Sequence, residues 1–299
     1  LVFNGEIYNY QELKKELQDA GHTFVSNTDS ETLIHGYEEW GESLVERLRG
    51  MYAFAIWDTR KKKLFVARDI FGIKPLYYAQ MNGTLMFASE IKAFMEHPKF
   101  DKVFNEDALG NYLSFQFVPT NETFFKGVFC LQPGHYFTYE NGELNITRYF
   151  EPNFTGDTEK SFEEIVDDVE AVMKESVAMH KISDVEVASY LSSGVDSSYL
   201  TYLGQVDRTF TVGFDEGKYS EIQDAKEFAA SINMKNDAKV ITPEEYWDRL
   251  SDIQYYMDEP VADPAAIALY FLSEEASKKV KVVLSGEGSD ELFGGYNIY

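Results

Sequence analysis

From residue 185 onward, short apolar runs alternate with stretches of helical spacing, and this alternation constrains the fold more than any other feature. Val185–Leu191, Thr209–Phe214, Ala238–Ile241 and Val280–Leu284 read as strands. Between them lie a helix from Ser197, one carrying Ile222, Ala225, Phe228, Ala229 and Ile232, one after Thr242, and one over roughly 265–279. Strands separated by helices cannot close as hairpins, so each crosses over and runs parallel to the last. The helix starts are written locally. Thr242 caps, Pro243 takes the first position and Glu245 closes the box. Ser161 and Glu164 form the same box ahead of a helix whose apolar face includes Phe162, Ile165, Val169, Val172 and Met173.

Residues 1–150 obey a different rule. Met51–Trp57 and Leu64–Arg68 are apolar runs joined by the charged turn Asp58–Lys63. The pairs Asn82-Gly83 and Asn141-Gly142 sit between aromatic stretches, and both residues of such a pair accept positive φ, which a tight hairpin demands. Tyr10–Ala20 and Ser30–Trp40 carry helical spacing. Residues 151–160, EPNFTGDTEK, are polar and turn-rich and read as a linker. The expected fold class is therefore α/β and α+β in two domains. Antiparallel β layers with helices occupy 1–150, and a parallel-sheet α/β domain occupies 161–299.

Charge narrows the partners. A formal net charge of -24 opposes nucleic acid or an anionic membrane as partner, although a local site can still hold a small anion. The longest uncharged apolar stretches, Met51–Trp57 and Ala265–Leu272, fall far short of the ~20 residues a span needs. The single cysteine, Cys130, excludes an internal disulfide and suits a reducing, cytoplasmic setting; it reads as a small buried hydrophobe. His22, His35, His97, His135 and His180 show no metal-ligand spacing and read as structural or exposed. Both ends of the chain look cut.

Two strand ends carry unusual chemistry. Val185–Leu191 runs into Ser192-Ser193-Gly194-Val195-Asp196-Ser197-Ser198, and Val280–Leu284 runs into Ser285-Gly286-Glu287-Gly288-Ser289-Asp290-Glu291. Taken alone, the first loop is either a serine-rich helix cap or a phosphate cradle. Gly194 is expected to let the backbone turn tightly and approach a ligand. Asp196 would repel bare phosphate unless Mg²⁺ lies between them, and Asp290 offers a second carboxylate. A Walker loop is absent, because no Gly-Lys-Ser/Thr follows. Ligands of open parallel sheets sit beyond the carboxyl ends of strands, so two such loops together favour the cradle.

SSGVDSS resembles the pyrophosphate loop of the N-type ATP pyrophosphatases, with Ser193 where that pattern has its second-position glycine. VVLSGEGSDELFGGY, residues 282–296, resembles the second ATP loop of glutamine-hydrolysing asparagine synthetases. The first half is similar to the later part of a class II, N-terminal-nucleophile glutaminase domain, through NGEIYNY, TDSETL, GMYAFAIWD, RDIFGIKPLYY and ASEIKA in order. Asn4-Gly5-Glu6 alone would read as a turn after an edge strand. The resemblance implies instead that Asn4 and the Gly5 N–H form an oxyanion hole, and that Glu6 and Asp29 hold the α-amino group of glutamine.

For the second half it implies ATP bound by Tyr190 or Leu191, Ser192, Gly194, Asp196, Ser197, Ser198, Val212, Ser285 and Gly286, with Mg²⁺ on Asp196 and Asp290. Glu287 either deprotonates the attacking ammonium or caps the Gly288–Glu291 turn. The implied reaction activates aspartate as β-aspartyl-AMP, and ammonia from glutamine displaces AMP. The implied partners are glutamine, aspartate and ATP, with room for a homodimer. The family's nucleophile is an N-terminal cysteine upstream of the residues matched here. The chain as given is therefore expected to be a fragment without glutaminase activity, lacking also the synthetase domain's C-terminal portion. Missing N-terminal strands would leave sheet edges open and the fragment poorly stable. Two rivals share these motifs: an amidotransferase or β-lactam-forming synthetase acting on another carboxylate, and a non-catalytic protein that keeps the fold. Asp258–Pro264, acidic and bracketed by prolines, is left unassigned.

Overall fold

In a computed structural model describing residues 1–156, 159–214 and 221–296, the chain divides into two units, Leu1–Gly156 and Asp157–Tyr299. No helix or strand lies between residues 149 and 161 among those described.

In the first unit, β1 (Val2–Ile7), β2 (Gly50–Asp58), β3 (Lys63–Arg68), β7 (His135–Glu140) and β8 (Glu143–Arg148) form one antiparallel sheet in the order β1-β2-β3-β7-β8. β4 (Tyr77–Met81), β5 (Thr84–Ala88) and β6 (Val128–Cys130) form a second, in the order β5-β4-β6. The helices are α1 (Tyr10–Asp19), α2 (Asp29–Trp40) and α3 (Glu106–Phe115). The unbroken apolar run of β2 is explained by burial on both faces. Tyr52, Phe54 and Ile56 pack with Leu13, Leu33 and Tyr37 of α1 and α2, while Ala53 and Ala55 pack with Leu76 and Tyr78 beside the second sheet. Both Asn-Gly pairs form the expected hairpins: φ is 49° and 71° at Asn82-Gly83, and 53° and 87° at Asn141-Gly142.

In the second unit, β9 (Val187–Tyr190), β10 (Arg208–Phe214), β11 (Lys235–Ile241) and β12 (Val282–Leu284) form a parallel sheet in the order β11-β10-β9-β12. The helices are α4 (Phe162–His180), α5 (Val195–Gly204), α6 (Ile222–Ser231), α7 (Pro243–Met257), α8 (Ala265–Ser277) and α9 (Ser289–Phe293). The chain steps outward from β9 to β10 and β11, then returns to the other side of β9 as β12. The strand order therefore reverses between β9 and β12, the position at which open α/β sheets bind ligands. Both capping boxes, at Ser161/Glu164 and Thr242/Glu245, are present.

Several boundaries move, for physical reasons. β12 begins at Val282 because the Val280 N–H donates to Ala276 O (2.9 Å) and so finishes α8. α5 starts at Val195 rather than Ser197. The α4 face is the larger correction: Phe162, Ile165, Val169 and Val172 are exposed, and Val177 near its end is the buried residue. Cys130 is only partly buried at the end of β6, and its Sγ accepts from Arg68 Nη1 at 3.1 Å. Among the described residues no helix is long and apolar enough to cross a membrane.

One ion cluster ties the second unit together away from its loops. Asp237 on β11 accepts from Arg208 of β10 and from Lys279 Nζ (2.7 Å). Burial alone would raise its carboxyl, but these two hydrogen bonds outweigh it and hold the group below its ordinary 3.8. A depressed carboxyl stabilises the fold above its unfolded value, and the contribution is lost as pH falls through the folded one. Asp237→Asn should thus lower the melting temperature at neutral pH, by the equivalent of about 1 kcal/mol or less for so exposed a cluster. Calorimetry across the acid range should show the deficit closing below pH 3.8. A deficit that stays constant there would rule out the charge as its cause.

Candidate functional site

Each unit brings one set of sequence-marked residues together. In the first, Asn4, Gly5 and Glu6 lie on β1 opposite Ala53, Tyr52 and Met51 of β2. Gly5 has φ 154°, and a Cβ there would lie 2.1 Å from Met51 O and 2.7 Å from Tyr52 Cα. No other residue fits this register. Asp29, the first residue of α2, accepts the Ile7 N–H at Oδ2 (3.1 Å), which places its carboxylate beside the strand segment bearing Glu6. The Asn4 side-chain amide reaches Ser89 Oγ at 3.4 Å, so the ASEIKA segment joins the cluster. Burial first, then the charges of Glu6 and Asp69, push the Tyr8 hydroxyl up to about 12.

What the sequence motifs did not disclose is the support beneath β1. Asp69 is fully buried and accepts four backbone N–H groups: Tyr52 (3.1 Å), Phe71 (3.1 Å), Ile73 (2.9 Å) and Lys74 (3.0 Å). Its neighbour Arg68 donates to the carbonyls of Lys74 (2.7 Å), Gly72 (2.7 Å) and Leu131 (2.6 Å). One residue thus satisfies the donors of the 69–74 turn and the other its acceptors. Tyr149 donates to Arg68 O (2.7 Å) and meets Tyr52 at 2.9 Å; burial raises both phenols, so they stay protonated. In the sequence these two residues open the RDIFGIKPLYY motif and close an apolar strand, which marks the segment but not this bonding.

In the second unit, β9 pairs with β12 through Val187↔Val282, Ala188↔Val283 and Ser189↔Leu284, so the two loops leave adjacent strand ends side by side. They touch: a Cβ at Gly286 would lie 3.3 Å from Ser197 N and 3.6 Å from Asp196 Cβ. The helix-cap alternative for the serines does not hold. The residue at the start of α5 is Gly194, and no side chain caps the helix. Ser192 Oγ instead accepts the Gly194 N–H (3.1 Å) and meets Ser197 Oγ at 2.8 Å, while Ser197 Oγ accepts the Ser192 N–H (3.1 Å). The first N–H groups of α5 thus receive no side-chain cap, as suits a helix start that meets an anion.

Gly194 itself is extended, with φ -72°, so it does not make the tight turn expected of it; a side chain there would only crowd Ser192 Oγ at 3.2 Å. Ser193 is not in a positive-φ conformation, so its departure from the glycine pattern costs no backbone strain. Asp196 is exposed, and its carboxylate has no partner among the described residues. Asp290 lies at the start of α9, where a Cβ on Gly295 would come 1.9 Å from Asp290 Oδ1, so the glycine pair makes room for this carboxylate. Asp196 and Asp290 follow neighbouring strands, and their carboxylate oxygens are the ligand type that suits Mg²⁺ shared with phosphate.

Glu287 is exposed and does not cap α9, which follows Gly288 without any side-chain cap. Of the residues expected to line adenosine, Leu191 is buried, Val212 lies on β10, and the Tyr190 hydroxyl meets Ser273 Oγ at 3.0 Å. Ser285 is exposed at the end of β12. Glu221, unmarked in the sequence, accepts the Ser193 N–H at 3.4 Å. Within the unassigned loop, Asp263 accepts the Ala265 N–H (2.8 Å) and so starts α8. Spacing along the chain does not show that His22 and His35 meet each other and Glu38, with all three ligand atoms within 4.8 Å.

The glutamine amidotransferase domain family matches residues 1–150, and the asparagine synthase family matches residues 168–299. A protein named asparagine synthetase (glutamine-hydrolysing) 1 from Bacillus subtilis strain 168 is 45% identical over 304 residues, covering 100% of this chain and 48% of that protein. One named putative asparagine synthetase (glutamine-hydrolysing) from Mycobacterium tuberculosis H37Rv is 44% identical over 311 residues, covering 100% and 48%. A protein named as an amidase from Gibberella zeae is 32% identical over 322 residues, covering 100% and 47%. The chain spans about half the length of the curated relatives it matches.

Proposed function

The chain belongs to the family that joins a glutamine amidotransferase domain to an asparagine synthase domain, and from that premise we propose that the complete protein makes asparagine from aspartate, ATP and glutamine. The observation that carries the reading is the meeting of the β9 and β12 loops at the switch point, beneath an uncapped helix start.

An oxygen of the aspartate side chain attacks the α-phosphorus of ATP, and the bond to the β-phosphate breaks, giving β-aspartyl-AMP and pyrophosphate. Ser192, Gly194, Ser197 and Ser198, with the N–H groups opening α5, hold the departing pyrophosphate. Mg²⁺ on Asp196 and Asp290 would neutralise charge on that leaving group. Tyr190 or Leu191, Val212, Ser285 and Gly286 line the adenosine. Ammonia released from glutamine in the first half then attacks the acyl carbon, AMP leaves, and Glu287 takes the surplus proton. In the first half, Asn4 and the Gly5 N–H stabilise the oxyanion of amide hydrolysis, while Glu6 and Asp29 hold the glutamine α-amino group. The same reading puts the protein in the cytoplasm and allows a homodimer.

The complete protein, given aspartate, glutamine and ATP, should form asparagine and AMP in equal amounts. Release of ADP and phosphate, or neither product, would reject the reading. The amidase relative motivates one second reading, a different carboxylate acceptor. AMP formation that ignores aspartate but follows another carboxylic acid would select it.

A further inference from the structure

The turn between α1 and α2 gathers side chains that neither half-reaction uses. His22 lies just after α1, and His35 and Glu38 lie one turn apart on α2. His22 Nδ1 and His35 Nδ1 are 3.2 Å apart, His35 Nδ1 and Glu38 Oε2 are 2.9 Å apart, and His22 Nδ1 and Glu38 Oε2 are 3.8 Å apart. The point equidistant from these three atoms lies roughly 2 Å from each, which is the zinc–imidazole and zinc–carboxylate bond length.

The outer ring nitrogen of His22 is also occupied in the manner of a metal site, while that of His35 faces a carboxylate beyond hydrogen-bond reach. His22 Nε2 lies 3.0 Å from Glu39 Oε2, and His35 Nε2 lies 3.7 Å from Glu31 Oε1. A carboxylate on the far nitrogen of a ligating histidine fixes the tautomer that presents the near lone pair. Glu31 is itself held by the Val25 N–H (2.7 Å), the Ser26 N–H (2.7 Å) and the Ser26 hydroxyl (2.5 Å). Both rings are largely sheltered, with side-chain exposures of 16% and 19%, and Phe24 packs edge-on against His35 at 4.7 Å.

Protons alone account for this geometry poorly. If His22 donates from Nε2 to Glu39, its Nδ1 is an acceptor. His35 Nδ1 then has one proton for two acceptors, His22 and Glu38. A cation at the centre satisfies all three lone pairs at once.

We propose that His22, His35 and Glu38 bind one zinc-class divalent ion, with an exposed fourth position for water. Two imidazoles and one carboxylate favour such an ion over Mg²⁺ or Ca²⁺, which take oxygen ligands. The ion clips the 21–28 turn onto α2, six residues beyond Asp29, whose carboxylate is bonded to β1. It is a structural clip, separate from the carboxylates of the nucleotide loops.

The test uses the complete protein, stripped by a chelator and returned to excess Mg²⁺ so that oxygen-only sites are filled. Zn²⁺ is then titrated against a chromogenic competitor. One equivalent should bind, His22→Gln and His35→Gln should each abolish or weaken it by at least tenfold, and Glu39→Gln should weaken it about tenfold. His97→Gln should leave it unchanged. Absence of a bound equivalent, or binding unchanged from wild type in either histidine variant, overturns the proposal. X-ray absorption of the Co²⁺-loaded wild-type protein needs no variant to fold: two imidazole nitrogens in the first shell are expected, and a shell without imidazole overturns the assignment.

Discussion

Asp69→Ala should be the most destabilising single change in the first unit, by about 4 kcal/mol, because four buried backbone N–H groups lose their acceptor together. Each orphaned donor alone would cost about 1–3 kcal/mol, and water entering the space recovers part of that sum. In a unit of this size the loss corresponds to a melting temperature lower by roughly 10 °C. Asp69→Asn should lie between, since an amide keeps one acceptor oxygen but turns an NH₂ toward donors. Amide exchange at Phe54 and Val66, buried on β2 and β3, is the direct readout. Protection unchanged in Asp69→Ala would show that the 69–74 turn is held by its packing alone. Because Tyr52 is bonded to Asp69 on one side and paired with Gly5 on the other, the same change should loosen the Asn4-Gly5-Glu6 segment without touching a residue of it.

The contrast between what was legible in the sequence and what was not follows from range. Asn82-Gly83 and Asn141-Gly142 specify hairpins by themselves, since the positive φ they accept is a local property. The alternation of strands and helices after residue 185 implies a parallel sheet, and the two polar loops mark its ligand end. Roles that depend on distant partners stay hidden. Arg68-Asp69 reads as the charged end of a strand until the turn at 71–74 and Leu131 fold back over it. His22 and His35 are separated by a turn rather than by one helix face, so their spacing carries no metal signature although their nitrogens meet. The helical pattern of α4 is real, but periodicity marks an apolar face without saying what covers it. Gly194 illustrates a subtler limit: its place in the loop was legible, yet its φ is ordinary, and the reason for glycine there is room beside Ser192 rather than a turn.

Replacing Asp196 with alanine should reduce aspartate-dependent pyrophosphate release by the complete protein about 10³-fold, the scale expected when a metal-borne charge at a leaving group is lost. The variant separates chemistry from folding. Asp196 is exposed at the second position of α5 and has no partner among the described residues. Its one structural contribution is the favourable placement of an acid at a helix start, worth about 0.3–1 kcal/mol. Melting should therefore change by a degree or two while turnover collapses. Asp290 is the poorer probe, because the Gly294-Gly295 turn packs directly against its carboxylate, so Asp290→Ala would disturb both the proposed metal and the loop. Ser193→Gly supplies the opposite control, since Ser193 occupies an ordinary backbone conformation and reversion to glycine should leave turnover within about twofold. Asp196→Asn adds a graded test: it keeps one oxygen ligand, so raising Mg²⁺ should restore part of its activity but none of that of Asp196→Ala. Pyrophosphate release that survives in Asp196→Ala would remove the metal from this loop and leave the serines and the α5 N–H groups to bind pyrophosphate alone.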